Sequence, residues 1–194
     1  MKNQIYTIGH SDLDLDAFIM LLKKYKVQVL IDVRSQPYSS YVKHFNKEAL
    51  KASLQKHKID YYYGGAYLGG RPTDECLFHD GKLDYKLVRK SEGYKKGMQV
   101  LNKLAMLKSV VIMCSEEDPG RCHRQYLIAP DLIKMGYEIR NIRSDGSYEV
   151  LDKKPEQLLI EIENKMKEEC PDTNLKPENE INSDTDIKPS TSSI

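Results

Sequence analysis

VQVLIDV, at residues 27–33, is the stretch from which the fold of this chain can be worked out. β-Branched and aliphatic residues run through it almost without interruption, which is typical of a parallel strand covered on both faces. Four further short apolar segments predict strands before and after it: QIYTI (4–8), IDYYY (59–63), SVVIMC (109–114) and YEIRNI (137–142).

Segments with helical periodicity separate these strands. Leu15, Phe18, Ile19 and Leu22 recur at the spacing of one helix face, and Ser11 is placed to cap that helix. Further helices are predicted at about 47–57, 86–107 and 123–135. This alternation predicts a single-domain, three-layer α/β fold with an open, mainly parallel five-stranded sheet.

The remaining segments divide the chain further. Residues 64–84 are rich in glycine and form a long connection, and residues 145–147 form a turn into a small terminal hairpin. We therefore predict an α/β domain at 1–150 and a C-terminal amphipathic helix at 151–170, packed on or beside it. Residues 171–194 carry five acidic residues against two lysines and have no apolar period, so a disordered acidic tail is predicted there.

Composition and charge give no sign of a secreted or membrane-spanning protein. The formal net charge of +1 does not by itself demand nucleic acid or a membrane as partner. The first residues lack the apolar core of a signal peptide, and no apolar run is long enough to span a membrane. Four cysteines without an export signal favour reduced thiols. We predict a cytoplasmic protein that does not bind membranes.

Polar residues follow three of the predicted strands at the point where each strand ends. His10 and Ser11 follow the first strand, Asp32 and Arg34 end the second, and Glu116 follows the fourth. Because ligands of open parallel sheets bind outside the carboxyl ends of the strands, these side chains predict one shared crevice.

The stretch CSEEDPGRCHR (114–124) is the most polar of these strand ends. Cys114 closes a buried strand and is interpreted as a small apolar filler, since the acidic residues after it disfavour a thiolate. Cys122 lies where a helix begins, among Arg121, His123 and Arg124, which favour a thiolate and a nucleophilic role. A half-buried thiol beside a salt-bridged turn is the alternative.

A metal site is an alternative for the same stretch. Cys114, Cys122, His123 and His10 could supply zinc ligands, but the C-x7-C-H spacing is not a usual zinc pattern. Neighbouring side chains on a helix also diverge, which disfavours Cys122 and His123 as joint ligands. No metal and no cofactor are therefore predicted, with zinc as the less favoured alternative.

Arginines and tyrosines at the same edge indicate an anionic ligand. Arginines bind phosphate in a bidentate manner, although they could also pair internally with Asp32 or Glu116. Loop tyrosines beside arginines suit a nucleobase. The residues assigned to substrate binding are Ser11, Arg34, Tyr38, Ser39, Tyr67, Arg71, Arg121 and Arg124. The residues assigned to catalysis are His10, Asp32, Glu116, Cys122 and His123.

Several motifs together resemble a known family. TIGHS (7–11), DVR with P-x-S (32–39), YLGG (67–70) and CSEEDPxxCHR (114–124) are similar, in this order, to the domain of unknown function 488 family. The resemblance covers roughly residues 3–145 and implies an α/β domain without implying an activity. The plan of the chain is also similar, more weakly, to rhodanese-type sulfurtransferases, although the loop after Cys114 is acidic and longer.

Three functions follow from these residues, and a structural zinc domain is a fourth, less favoured one. The first is an enzyme, a hydrolase or transferase, acting on a phosphate-bearing substrate that is a nucleotide or nucleic acid. The second is a cysteine-dependent, sulfurtransferase-like enzyme. The third is a non-catalytic nucleotide- or nucleic-acid-binding module, in which binding would survive the loss of Glu116 and Cys122 but not of the arginines.

Overall fold

The computed structural model describes residues 3–79 and 81–168. The strands are β1 (Gln4–Gly9), β2 (Val29–Asp32), β3 (Asp60–Tyr63), β4 (Phe78–His79), β5 (Lys82–Leu83), β6 (Val110–Cys114), β7 (Glu138–Ile142) and β8 (Tyr148–Val150). The helices are α1 (Leu15–Lys24), α2 (Lys47–Lys56), α3 (Gly65–Leu68), α4 (Tyr85–Lys90), α5 (Glu92–Leu107), α6 (Ala129–Lys134) and α7 (Pro155–Glu168).

The main sheet has the strand order β3-β2-β6-β1-β7-β8. All neighbouring pairs are parallel except β7 and β8, which are antiparallel. The predicted α/β class and mainly parallel sheet are therefore confirmed. The main sheet has six strands where five were predicted, because the segment after the 145–147 turn pairs with β7.

Both faces of the sheet are covered, which explains the unbroken apolar runs of β2 and β6. Val29 and Ile31 point into one core cluster with α5 and α6, whereas Leu30 points into the other with α1 and α2. Every residue of β2 and β6 is buried. This alternation between two cores produces the three layers predicted from the sequence.

Two helix boundaries differ from the predictions. Asp14, and not Ser11, caps α1, since its carboxylate accepts a hydrogen bond from the backbone N–H of Asp16 at 2.8 Å. The single helix predicted over 86–107 is divided into α4 and α5 by Ser91, which is extended (φ −66°, ψ 144°). Its hydroxyl accepts a hydrogen bond from the N–H of Tyr94, so Ser91 caps the second helix.

The glycine-rich connection contains short elements. It holds α3, a 3₁₀ turn at Glu75–Leu77 and the small hairpin of β4 and β5. After the sheet, α7 packs against α6. The predicted acidic tail at 171–194 lies outside the described residues. Among the helices of the described part of the chain, none is long and apolar enough to cross a membrane.

Candidate functional site

The carboxyl ends of β1, β2 and β6 are held together by backbone hydrogen bonds. The N–H of His10 donates to the carbonyl of Cys114 at 3.0 Å, and the N–H of Val33 donates to the carbonyl of Met113 at 3.0 Å. Gly9 permits this approach, because a Cβ at that position would lie 1.8 Å from the carbonyl oxygen of Glu116. The predicted convergence of strand ends is therefore present.

Asp32 and Arg34 form a buried ion pair at the end of β2. Arg34 Nε donates to Asp32 Oδ1 at 2.9 Å and Arg34 Nη2 donates to Asp32 Oδ2 at 2.6 Å. The hydroxyl of Tyr61 donates to the same Oδ2 at 2.8 Å, and Arg34 Nη2 also donates to the carbonyl of Phe45. The carboxylate of Asp32 is thus fully buried and fully paired, as a structural group is.

His10 completes this network as a neutral imidazole. Arg34 Nη1 lies 3.0 Å from His10 Nε2, which must accept because a guanidinium only donates. His10 Nδ1 therefore carries the hydrogen and donates to the carbonyl of Ser11 at 2.8 Å. Burial, followed by the positive charge of Arg34, lowers the pKa of His10 to about 4. His10 supports Arg34, and its ring stacks on Phe45.

Arg124 is also buried and internally paired. Its Nη2 donates to the carbonyls of Glu116 and Glu117, and its Nη1 donates to the hydroxyl of Thr7 at 3.2 Å. It therefore fixes the loop after β6 against β1. Most of the N–H groups of Arg34 and Arg124 are therefore used in internal pairing.

Cys114, Cys122 and His123 form a compact cluster, called here the Cys-Cys-His cluster. His123 Nδ1 lies 3.9 Å from the sulfur of Cys114 and 3.8 Å from the sulfur of Cys122. The two sulfurs and Nδ1 all lie within 4.8 Å of one another. Both thiols are buried, and the ring of His123 is half-buried.

The backbone explains why neighbouring residues converge here. Cys122 is extended (φ −128°, ψ 142°), and His123 (φ −60°, ψ −22°) is the residue at which the following helical segment begins. The expected divergence of Cys122 and His123 assumed that both lie on the helix, and this assumption is wrong. A π-helical segment, Arg124–Ile128, follows directly and precedes α6; such segments are frequent at functional sites.

The pKa values of the two thiols are shifted in opposite directions. A hydrogen bond with Cys114 lowers the pKa of Cys122 against the effect of burial, and Arg124 lowers it further. The same hydrogen bond, reinforced by burial, raises the pKa of Cys114. Cys122 is therefore the thiol of the pair that loses its proton more readily.

Two cavities meet at the Cys-Cys-His cluster. The first, called here the crevice, has a volume of about 480 Å³. Its lining residues are Arg34, Ser35, Gln36, Tyr38, Gly70, Arg71, Tyr85, Cys114, Ser115, Glu116, Arg121, Cys122 and His123. The second, the side cavity, has a volume of about 610 Å³ and is shared between the cluster, the β4–β5 hairpin and α7. Volumes of this size suit a small-molecule ligand.

The structure brings together many, but not all, of the predicted site residues. The predicted residues that line the crevice are Arg34, Tyr38, Arg71, Glu116, Arg121, Cys122 and His123. Asp32, His10 and Arg124 lie behind this lining as buried supports. Ser11 and Ser39 do not line either cavity. The hydroxyl of Ser39 accepts the N–H of Tyr41. Tyr67 lines a separate groove against α5.

The sequence interpretation misjudged one contributor and missed two. Cys114, interpreted as filler and included among the zinc ligands of the less favoured alternative, is a member of the cluster; the signal is that the loop after it must return to the same sheet edge before α6. Gly70 packs on the ring of His123, where a Cβ would lie 2.8 Å from Cγ. Lys165 of α7 donates to the carbonyl of Gly120 at 2.6 Å and lines the side cavity.

Comparison with known proteins supports the resemblance inferred from the motifs. No curated protein and no solved structure shows significant similarity to this chain. DVR with P-x-S, YLGG and the segment from Cys114 to Arg124 lie inside the region that matches a family, whereas TIGHS precedes it. Residues 14–129, more than half of the chain, match the family described as domain of unknown function DUF488, and the chain therefore belongs to that family.

Proposed function

We propose that this protein is an enzyme that acts on a phosphate-bearing substrate, a nucleotide or nucleic acid, in the crevice at the carboxyl ends of the strands. The observation that carries the proposal is the crevice itself, in which Arg34, Arg71 and Arg121 surround the Cys-Cys-His cluster. Among the described residues that line the crevice, Glu116 is the one carboxylate, so these walls are cationic overall. A cationic concave site favours an anionic ligand.

Arg71 and Arg121 are the residues that would bind the anion. Both are exposed at the crevice. Four of the five N–H groups of Arg34 already have partners in Asp32, His10 and Phe45, which leaves one N–H for a ligand. Arg34 would therefore orient a phosphate, while Arg71 and Arg121 would supply most of the attraction.

The Cys-Cys-His cluster would provide the reacting group. It forms part of the crevice wall and also borders the side cavity, so a substrate bound at Arg121 lies next to it. The side cavity leaves room for the rest of a nucleotide, with Tyr85 and Tyr126 among its walls. Aromatic walls of this kind suit a base. The reaction is assigned to group transfer or hydrolysis at the phosphate.

The test is nucleotide binding by the full chain and by Arg71→Ala and Arg121→Ala. We measure Kd by calorimetry over a panel of nucleotides and short oligonucleotides at two salt concentrations. Each variant should weaken binding about tenfold and reduce the dependence of binding on salt. Lys51→Ala, an exposed cation on α2, is the matched control and should bind like the wild type.

Two results would count against this function. Equal affinity of the wild type and both arginine variants would remove the proposed anion site. Arginine-dependent binding with no turnover of any bound compound, unchanged by Glu116→Ala and Cys122→Ala, would favour the non-catalytic binding module instead.

A sulfur-transferring enzyme is the second candidate. The observation that favours it is that a buried thiol, Cys122, borders an arginine-lined crevice that would accept an anionic sulfur donor such as thiosulfate. The thiolate would attack the outer sulfur of thiosulfate, and sulfite would leave with the electron pair of the broken S–S bond. Intact-mass measurement after treatment should show one added sulfur atom in the wild type and none in Cys122→Ser. An unmodified wild type would exclude this candidate.

A further inference from the structure

We propose that Cys114, Cys122 and His123 bind a Zn²⁺ ion whose fourth coordination position opens into the crevice. Metal binding goes beyond the function proposed above, and only the catalytic use of the ion rests on that function. The ion would face the position assigned to the phosphate of the substrate.

The spacing of the three donor atoms fits zinc. Zn–S bonds of about 2.3 Å and Zn–N bonds of about 2.0–2.1 Å in a tetrahedron place sulfur and nitrogen about 3.6 Å apart. His123 Nδ1 lies 3.8 Å from one sulfur and 3.9 Å from the other. Small side-chain shifts therefore bring all three donors to coordination distance.

The hydrogen bonding of His123 leaves its donor atom available for a metal. His123 Nε2 lies 3.2 Å from the carbonyl oxygen of Val33, which can only accept. Nε2 therefore carries the hydrogen, and the lone pair of Nδ1 faces the two sulfurs. A backbone carbonyl that holds the outer ring N–H is the usual support of a metal-binding histidine. Close packing of Gly70 on the ring keeps it in this orientation.

The donor set indicates both the metal and the type of site. Two thiolates with one imidazole suit Zn²⁺ better than Mg²⁺ or Ca²⁺, which require oxygen ligands. Two thiolate charges also neutralise the charge of the ion, as a buried site requires. Within the described residues the cluster offers three protein ligands and not four. Three protein ligands with a position for water or substrate are typical of catalytic zinc, whereas structural zinc has four.

The position of the open site connects the ion to the arginines. Cys114, Cys122 and His123 line the crevice together with Arg71 and Arg121. A phosphate held by these arginines would reach the ion through one of its oxygens. Zinc would then polarise that phosphate or activate a bound water, which are the ordinary roles of an open zinc site.

The first experiment measures metal in the full-length protein, purified without chelators and without a histidine tag. Elemental analysis should give about one zinc per chain for the wild type. Competition with a chromogenic chelator should show at least tenfold weaker zinc binding by Cys114→Ser, Cys122→Ser and His123→Ala. Cys76→Ser is the matched control, since Cys76 is an exposed thiol outside the cluster, and it should retain the metal.

A second measurement uses the wild type alone, in case a cluster variant does not fold. Cobalt replacing zinc should give the intense visible bands of a tetrahedral ion together with sulfur-to-cobalt charge-transfer absorption. Zinc should also protect two thiols from a thiol reagent until a chelator is added, while Cys76 reacts at once.

Three outcomes would overturn the zinc site: wild type without zinc even after reconstitution, cobalt spectra without charge transfer, or zinc content unchanged in both Cys114→Ser and Cys122→Ser. Metal-free protein with a Cys114–Cys122 disulfide would indicate a redox pair and would equally exclude it. Nucleotide binding by Arg71→Ala and Arg121→Ala is measured separately. A negative result for zinc therefore does not contradict the arginine-dependent anion site. A negative result for nucleotide binding does not contradict the zinc site.

Discussion

Arg34 connects three segments of the chain through one guanidinium. It pairs with the buried carboxylate of Asp32, donates to His10 at the end of β1 and donates to the carbonyl of Phe45. Removing it would leave Asp32 charged and buried with Tyr61 as its remaining side-chain partner. The free-energy cost of burying such an unpaired charge is much larger than the net contribution of the ion pair to stability.

Arg34→Ala should therefore lower the free energy of unfolding by about 3–5 kcal/mol. Arg34→Lys should recover only part of this loss, because an ammonium group cannot reproduce the forked contact. Urea denaturation followed by circular dichroism measures both effects. Arg71→Ala, at an exposed position, should change the stability by less than about 0.5 kcal/mol. If Arg34→Ala also changed the free energy of unfolding by less than about 0.5 kcal/mol, the ion pair would not be what stabilises the buried Asp32.

His10 should make the protein less stable as the pH falls. Burial lowers its pKa from 6.5 to about 4, and the ionisable groups that face it are Arg34, Asp32 and His44. Between these two values the unfolded chain binds a proton that the folded protein does not. The stabilisation is therefore complete above about pH 6.5 and is lost as the pH falls toward about 4, by about 3 kcal/mol in total.

Urea midpoints of the wild type and His10→Gln, measured from about pH 7.5 to about pH 5, isolate this contribution. The wild type should lose stability more steeply than the variant over that range. Parallel curves for the two proteins would contradict a neutral, buried His10.

Among the strands and helices, the sequence predicts best those whose position is determined by a local residue pattern. The aliphatic run at 27–33 is a strand because both faces of β2 are buried, and burial on two faces leaves a clear apolar signal. The break at Ser91 leaves no such signal, since apolar periodicity continues from α4 into α5. The choice of Asp14 over Ser11 as the cap depends on how β1 leaves the sheet, with Ser11 at a positive φ of 45°.

The attachment of α7 is a prediction at this scale. Leu158 is fully buried, while Ile160, two residues further along the same helix, is 58% exposed. Leu158→Ala should lower the free energy of unfolding by about 2–4 kcal/mol, because it leaves a cavity beneath the helix. Ile160→Ala is the matched control and should cost less than about 0.5 kcal/mol. Urea denaturation compares the two, and equal effects would mean that α7 does not pack through Leu158.

Across the whole molecule, the site is assembled by the order of the strands. The sequence indicates that polar residues leave several strands at one edge, and a parallel sheet makes that edge common to all of them. It does not indicate which polar groups face the ligand and which face each other. Arg34 and Arg124 look the same as Arg71 and Arg121 in the sequence, yet the first two are buried and use most of their N–H groups within the protein. Only the packing of distant segments distinguishes them.

Zinc bound at the Cys-Cys-His cluster should stabilise the whole fold, because its ligands come from the end of β6 and from the segment before α6. A ligand that binds only the native state adds about 2.7 kcal/mol at one hundred times its Kd. A chelator should therefore lower the Tm of the wild type and of Cys76→Ser by several degrees, and added zinc should restore it. Cys122→Ser should respond less to both treatments, because it binds zinc at least tenfold more weakly. Differential scanning calorimetry measures these shifts. A wild-type Tm that changes with neither chelator nor zinc would show that metal binding at the cluster does not stabilise the fold.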